Sequence, residues 1–319
     1  MTQQSLYPLL LNATLHVKVW GGHKLAQVLG KTLPGDAPYG EAWEVHDTSL
    51  IANGPLAGQT IADILPDYGA DLLGEGVDPA NGLPLLVKLL DAEQWLSVQV
   101  HPDDAQAAEL EGQPRGKTEA WIILAADPGA ELVIGVQPGT TREQMAQAIR
   151  DDALEPLLVR RTVEPGDVLY IPAGTVHAIG PGVLLYEIQQ SSDTTYRLYD
   201  WGRVGLDGQP RELHIEKGVQ VSNLHALPEI APAGAPSPEA LVIDGQFFRT
   251  ARHHLDSASV DCDTDGRFHT LTCVEGSARV VAGEHALTLE KGRSALIPAV
   301  QGAYMLEGTG TVLRSWQQL

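Results

Sequence analysis

Trp95-Leu96-Ser97-Val98-Gln99-Val100-His101 is the stretch of this chain richest in groups that could do chemistry. In an extended strand, successive side chains alternate between faces. Ser97, Gln99 and His101 then share one face, and Leu96, Val98 and Val100 share the other. Two further segments carry matching groups. Lys117-Thr118-Glu119-Ala120-Trp121 puts Lys117 and Glu119 on one face, and Ile171-Pro172-Ala173-Gly174-Thr175-Val176-His177 ends in a histidine. His101, Glu119 and His177 lie 18 and 58 residues apart, much farther than the ligands of a zinc finger, so the fold itself has to assemble any site they form. Imidazole nitrogen and carboxylate oxygen suit zinc, one Zn2+ per chain, with the amide oxygen of Gln99 as a weak fourth donor. Such a donor set leaves the ion positively charged and useful as a Lewis acid. A lone strand histidine is ordinarily a hydrogen-bonded core or surface group. The functional reading rests on company: three polar groups on one face, and an inward lysine beside an inward glutamate, which is costly unless both line a wet cavity.

A second cluster follows. Glu187 ends a strand-like run, and Thr195-Tyr196-Arg197-Leu198-Tyr199-Asp200-Trp201-Gly202-Arg203 brings two arginines suited to bidentate contact with carboxylate or phosphate. Arg197 sits among Tyr196, Leu198, Tyr199 and Trp201, an unusual setting for a solvated arginine, whereas Arg203 has less to set it apart.

The elements that must position these groups read mainly as short strands divided by Gly, Pro and Asp turns: Thr14–Trp20, Leu85–Leu90, Trp95–His101, Thr118–Ala125, Glu131–Gln137, Asp167–Pro172, Val183–Gln190, Phe268–Val274, Ser277–Ala282 and His285–Leu289. That pattern predicts a sandwich or barrel. Helices are few: Thr60–Leu73, expected to break before Pro66; Asp103–Leu110; and Thr140–Ile149, which opens with two overlapping capping boxes, Thr140 with Glu143 and Thr141 with Gln144. Val163–Ala173 is echoed by Leu289–Ala299, an offset of 126 residues that places Ala303 where His177 stands, so the second unit keeps the scaffold and loses the ligand. The Pro- and Ala-rich segment 226–240 reads as the linker between an N-terminal metal-binding domain with helical insertions, 1–225, and a degenerate barrel, 241–319.

Composition narrows the partners. A chain of 319 residues with 43% hydrophobic content, 33 Gly and 21 Pro is a turn-rich globular protein rather than a disordered one. A formal charge of −20 argues against nucleic acid and against anionic membrane surfaces, while leaving room for a small anion in a locally basic pocket. Cys262 and Cys273 lack Cys-x-x-Cys spacing and read as reduced core thiols that could stand on the two arms of one hairpin. With no cationic residue before Lys18 and no membrane-length apolar run, the cytoplasm is the expected compartment. Composition does not set the oligomeric state, monomer or dimer.

Gly40-Glu41-Ala42-Trp43-Glu44, Ser97-Val98-Gln99-Val100-His101-Pro102, Gly116-Lys117-Thr118-Glu119-Ala120-Trp121, Ile171-Pro172-Ala173-Gly174-Thr175-Val176-His177-Ala178 and Gln189-Gln190-Ser191-Ser192-Asp193 together resemble the class I mannose-6-phosphate isomerases in their short bacterial form. These motifs run in order from about residue 10 to 205, and the last hundred residues match in type only. The resemblance implies a mainly β double cupin, two jelly-roll barrels with a few intercalated helices. It also implies a zinc-dependent exchange of mannose 6-phosphate and fructose 6-phosphate through an enediolate. It places metal ligands on Gln99, His101, Glu119 and His177, the set reached from alternation. Catalytic basic and acidic roles fall on Lys117, Glu187 and Arg197, and phosphate contacts on Ser97 and Arg203. Lys88 is added as a phosphate candidate from its strand position. Two rivals stand beside this reading: a non-catalytic sugar-phosphate-binding cupin, and an iron cupin dioxygenase, since two His and one carboxylate also suit non-haem iron. The neighbourhood of Lys117 and Arg197 favours an anionic sugar phosphate over an apolar substrate.

Overall fold

A computed structural model describes residues 5–235, 237–257 and 259–318. Its core is three antiparallel sheets. The first runs Ile230–Ala231, Val168–Ile171, Glu119–Ala126, Val183–Gln190, Leu85–Ala92, Tyr39–Val45, Thr14–Gly22. The second runs Tyr196–Tyr199, Val98–Val100, His177–Ile179, Glu131–Val136, Leu158–Thr162. Leu90, Trp121, Ile123 and Leu185 of the first sheet pack with Leu132, Ile134 and Ile179 of the second, so the two sheets close on one apolar layer. Val183–Gln190 lies between two neighbours of the first sheet and is buried along its whole length, which accounts for its nearly unbroken apolar start.

The third sheet orders Ala240–Asp244, Phe248–Asp256, Ala303–Gln317, His269–Ala282 and Ser294–Ile297, with Val260–Asp263 and His285–Glu290 paired off this path. The expected strands Phe268–Val274 and Ser277–Ala282 are one continuous strand whose register shifts between Cys273 and Glu275, where Gly276 takes a positive φ of 64°. Cys262 and Cys273 are free and buried, but they are not opposite arms of one hairpin. Their two strands each pair with Ala303–Gln317 rather than with each other.

The internal echo has a structural counterpart. Gly166 and Gly292 both turn with positive φ, at 94° and 77°, into the strands Val168–Ile171 and Ser294–Ile297, and His177 and Ala303 each begin the next strand. Two features cross the expected 226–240 boundary. Leu9–Asn12 leaves the N-terminal half to pair with Ser294–Ile297, and Ile230–Ala231 pins the linker against Val168–Leu169.

Helices decorate this frame. Ile61–Leu73 begins on a capping box of Thr60 and Asp63 and continues through Pro66, so the expected break does not occur. Ile61, Ile64, Leu65 and Leu72 are buried on one face, while Pro66 and Ala62, the residue whose carbonyl the proline leaves unbonded, face solvent. Water can satisfy that carbonyl, and burial of the apolar face holds the helix together. Of the two overlapping boxes near residue 140, the fold uses Thr141 with Gln144, and the Thr140 hydroxyl donates to the Gln137 carbonyl instead. Among the described residues no helix is long and apolar enough to cross a membrane.

Candidate metal centre and substrate cavity

Both N-terminal sheets contribute to one end of the sandwich. Only Val98–Val100 of the expected strand Trp95–His101 is paired as strand. Alternation holds from Ser97 onward: Val98 and Val100 enter the core cluster beneath the second sheet, while Ser97 and Gln99 line a cavity. It fails at Leu96, which reaches the cavity too, because the chain before Val98 is no longer pleated. Gln99 lies between His177 and Arg197, its partners on the two neighbouring strands. Glu119 begins its own strand, opposite Ile171 and Gln189.

Local chain geometry fixes the remaining approach. Gly116 donates to the Asp104 carboxylate at 2.7 Å, and the Lys117 amide donates to the Pro102 carbonyl at 2.9 Å. A Cβ at Gly116 would stand 2.3 Å from the Asp103 carbonyl carbon, so only glycine lets this loop bring Lys117 to His101. Gly174, with φ of 84°, turns the chain into His177 and donates to the His101 carbonyl at 2.8 Å.

His101, Glu119 and His177 are buried, with one ligand atom from each lying within 4.8 Å of the others. The Nδ1 of His101 is 2.9 Å from the Thr194 carbonyl and that of His177 is 2.9 Å from the Thr175 carbonyl. These carbonyls fix both rings with Nδ1 protonated, which turns the Nε2 lone pairs toward Glu119 at 3.6 and 3.2 Å. Burial pushes both imidazoles below their ordinary pKa and keeps them neutral, the form that binds metal. Lys117 Nζ, 2.8 Å from Glu119 Oε2 and 3.1 Å from His101 Nε2, pairs with the carboxylate on one side, while Oε1 is buried without a hydrogen-bond donor. Burial would raise the Glu119 pKa, but the Lys117 charge beside it outweighs that and holds the carboxyl well below its usual range. An ionised carboxylate with one buried oxygen left without a donor, between two oriented imidazoles, is a donor set that fits a divalent ion. The Gln99 amide nitrogen faces His177 Nε2 at 3.2 Å, and a half-turn of the amide brings Oε1 to the same place.

The cavity beside this cluster has a volume of about 320 Å3 and a strongly polar lining. Lys88, Lys117, Glu187, Ser97, Gln99 and Arg197 all line it. Glu187 is buried, accepts from Trp121 Nε1 at 3.0 Å through Oε2, and pairs with Lys88 Nζ at 3.2 Å through Oε1. Burial, reinforced by the Glu119 charge, raises its pKa. Lys88 goes the opposite way: burial opposes its charge, yet Glu187 and Glu41 hold it protonated. Arg197 donates through Nη1 to the Glu212 carbonyl at 2.9 Å and keeps a buried Nε without a partner.

Arg203 is elsewhere. Its guanidinium is taken by Asp200, at 2.9 Å from Nε, and by the Trp95 carbonyl, and it does not line the cavity. Three cavity residues gave no clear signal of their own in the sequence. Glu41 accepts from Trp43 Nε1 at 2.7 Å and pairs with Lys18 at 3.1 Å. Burial opposes its charge, but Lys88 and Lys18 pull the carboxyl down to about 2. Glu41 lay inside a quoted motif, and Lys18 inside an alternating strand. Arg211 lies in a loop without periodicity, and nothing local marked it.

The family model of the phosphomannose isomerase type I catalytic domain matches residues 9–153, and that of the mannose-6-phosphate isomerase cupin domain matches residues 239–317. The mannose-6-phosphate isomerase of Streptococcus mutans is 34% identical over 314 residues, covering 97% of this chain and 98% of its own length. The chain belongs to the type I phosphomannose isomerase family. Another family member, the mannose-6-phosphate isomerase of Bacillus subtilis, is 36% identical and covers 94% of this chain and 96% of its own. A crystal structure of the mannose 6-phosphate isomerase from Bacillus subtilis superposes with a TM-score of 0.85 at 31% identity, covering 97% of this chain and 99% of that one. The phosphomannose isomerase fold therefore extends over both halves of the molecule, mainly β with a cupin unit at the C-terminal end.

Proposed function

We propose that this chain interconverts mannose 6-phosphate and fructose 6-phosphate through an enediolate, with one zinc ion held by His101, Glu119 and His177 and assisted by Gln99. The observation that carries the reading is the buried Glu119 carboxylate, its Oε1 left without a hydrogen-bond donor, between two Nε2 atoms at the edge of a polar cavity. A bound Zn2+ would supply Lewis acidity toward the sugar's O1 and O2 oxygens.

The reaction moves a proton between C2 and C1, and its barrier is the low acidity of a carbon beside a carbonyl. Glu187 is the group suited to hold that proton. Its raised pKa brings it toward the range where a carboxyl both accepts and returns a proton, and Trp121 fixes it by Oε2. Lys88 limits that rise from the Oε1 side. Arg197, with an unpartnered Nε, and Lys117 can donate to a sugar oxygen as negative charge builds on it.

The test is metal analysis of protein purified without added metal, paired with an isomerase assay. Near-stoichiometric zinc and turnover of mannose 6-phosphate are expected. Stoichiometric iron with no isomerase activity would favour an oxygenase, and a metal-loaded chain that binds the sugar phosphate without turning it over would favour a binding protein.

A further inference from the structure

We propose that Gln190 is a positioning residue of the metal centre, which through Asp104 fixes the spacing between the segment that carries His101 and the segment that carries Lys117 and Glu119. The inference rests on the metal-centre reading above and gives a task to the Gln189–Asp193 motif, which that reading leaves without one.

Three segments have to meet for His101, Glu119 and His177 to share an ion. Val98–Val100, which leads into His101, and Glu119–Ala126 lie in different sheets, so no ladder of strand hydrogen bonds sets the distance between them. The Gln190 side chain spans that gap. It is buried at the end of Val183–Gln190, where its Oε1 accepts from the Thr118 amide at 2.9 Å and its Nε2 donates to Asp104 Oδ1 at 2.9 Å. The same Oδ1 accepts from the Gly116 amide at 2.7 Å. Asp104 stands three residues beyond His101, in the first turn of the helix Asp104–Glu111, and Gly116 and Thr118 flank Lys117. Gln190 and Asp104 together therefore grip the chain on both sides of Lys117 and tie it to the helix that follows His101. The His177 segment reaches the same point, because the Ala173 amide donates to Thr118 Oγ1 at 3.2 Å.

Gln190 is itself held in place. Its backbone amide donates to the Thr118 carbonyl at 3.0 Å, and Gln189 Nε2 donates to the Gln190 and Ser192 carbonyls at 2.9 and 2.7 Å. The turn fixed in this way leads on to Thr194, whose carbonyl orients His101. An amide suits the Gln190 position because it must donate to a carboxylate at one end and accept from an N–H at the other. A carboxylate of the same shape would set two acceptors face to face. Ligands whose supporting segments are ordered before the ion arrives bind it more tightly, since binding does not have to order them.

The test measures zinc affinity by chelator competition, and thermal unfolding of the metal-free protein, for the native chain and for Gln190→Ala, Gln190→Glu, Asp104→Ala and Asp104→Asn. Gln190→Ala and Asp104→Ala should each weaken zinc binding about tenfold or more, and Gln190→Glu at least as much. Combining the two alanine changes should add little, because the pair acts as one brace. Asp104→Asn keeps an oxygen for both N–H groups and should recover most of the affinity lost in Asp104→Ala. With zinc saturating, Gln190→Ala should lower kcat for mannose 6-phosphate about tenfold and change KM less than about threefold, because Lys117 rides on the braced segment. Asp104 is exposed, so its variants decide the matter should Gln190→Ala not fold. Unchanged zinc affinity in a folded alanine variant would overturn the proposal, as would a loss confined to the thermal stability of the metal-free protein, or zinc binding as weak in Asp104→Asn as in Asp104→Ala. Native protein that binds zinc without turning over mannose 6-phosphate would refute the isomerase reading, and the affinity comparison would still decide the role of Gln190. Native protein that binds no zinc would refute both.

Discussion

His101 shows how one side chain is prepared for a metal. Its Nδ1 is committed to the Thr194 carbonyl, its Nε2 points at Glu119, and burial keeps it neutral. Replacing it by Ala should remove a ligand that no neighbour can supply, and with it most of the bound zinc and the isomerase activity. Gln99→Ala should cost much less, because an amide oxygen would be the weakest donor of the proposed four. Elemental analysis of both variants checks this, and near-stoichiometric zinc in His101→Ala would take His101 out of the ligand set. Of the three clustered residues, His101 and Glu119 stood out because strand alternation gave each polar company on its own face, a rule that acts between residues two apart, and His177 by residue type alone; only the fold brings the three together. Arg197 was legible from the aromatic residues around it. Arg211 was not, because its partner Asp200 lies eleven residues away across a loop, and no short-range pattern encodes that contact. The same limit explains why Arg203, attractive beside Arg197 in sequence, turns its guanidinium to Asp200 and the Trp95 carbonyl instead.

At the scale of elements, strands with one wet face read clearly from the sequence, and Val183–Gln190 was legible to the residue. Errors arose where packing overruled a local signal. Pro66 is carried inside a helix because its apolar face is buried, and Trp95–Ser97 leaves the pleat although its pattern alternates. The C-terminal sheet holds a feature with thermodynamic consequences. His269 and His253 are buried there, bonded at 2.7 Å to Tyr304 and at 3.0 Å to Arg314 respectively. Burial first and the Arg314 charge second push them down to about 3 and about 4. Above the ordinary histidine pKa both are neutral whether folded or unfolded, so they cost nothing. As pH falls below about 6.5, the unfolded chain takes up protons the folded one refuses, and stability is lost until the folded pKa values are reached, at about 1.4 kcal/mol per pH unit for each group. Denaturant unfolding between pH 7 and pH 4.5 should show this decline, and His269→Gln should make it shallower by one group's share. An identical slope in the variant would mean that His269 is not held neutral.

For the whole molecule, the echo between Val163–Ala173 and Leu289–Ala299 has matching turns and strands in the fold, and contacts cross the linker that the echo suggested. Linker composition says where a chain is flexible and nothing about which distant strands pair. Leu9–Asn12 adds to the C-terminal sheet through Ser294–Ile297, and Glu44 in the N-terminal half accepts from Ser294 Oγ at 2.9 Å while pairing with Lys31 at 2.5 Å. Tyr186, at the centre of the N-terminal sheet, shares a 2.8 Å hydrogen bond with Ser315. One apolar cluster runs from Leu9, Ile61 and Leu89 through Tyr186 to Phe248, Phe268 and Leu313, so the two halves share a core in addition to the clusters each keeps to itself. Cutting the chain near residue 235 would strand buried polar groups on both sides, among them Glu44 and Tyr186, and leaving such groups unpaired costs roughly 1–3 kcal/mol each before any loss of apolar burial. The two units should therefore unfold together. Calorimetry of the full chain should give a single transition whose calorimetric and van't Hoff enthalpies agree. Two resolved transitions, or an N-terminal fragment ending near residue 235 that melts cooperatively at the temperature of the intact protein, would show that the halves are independent.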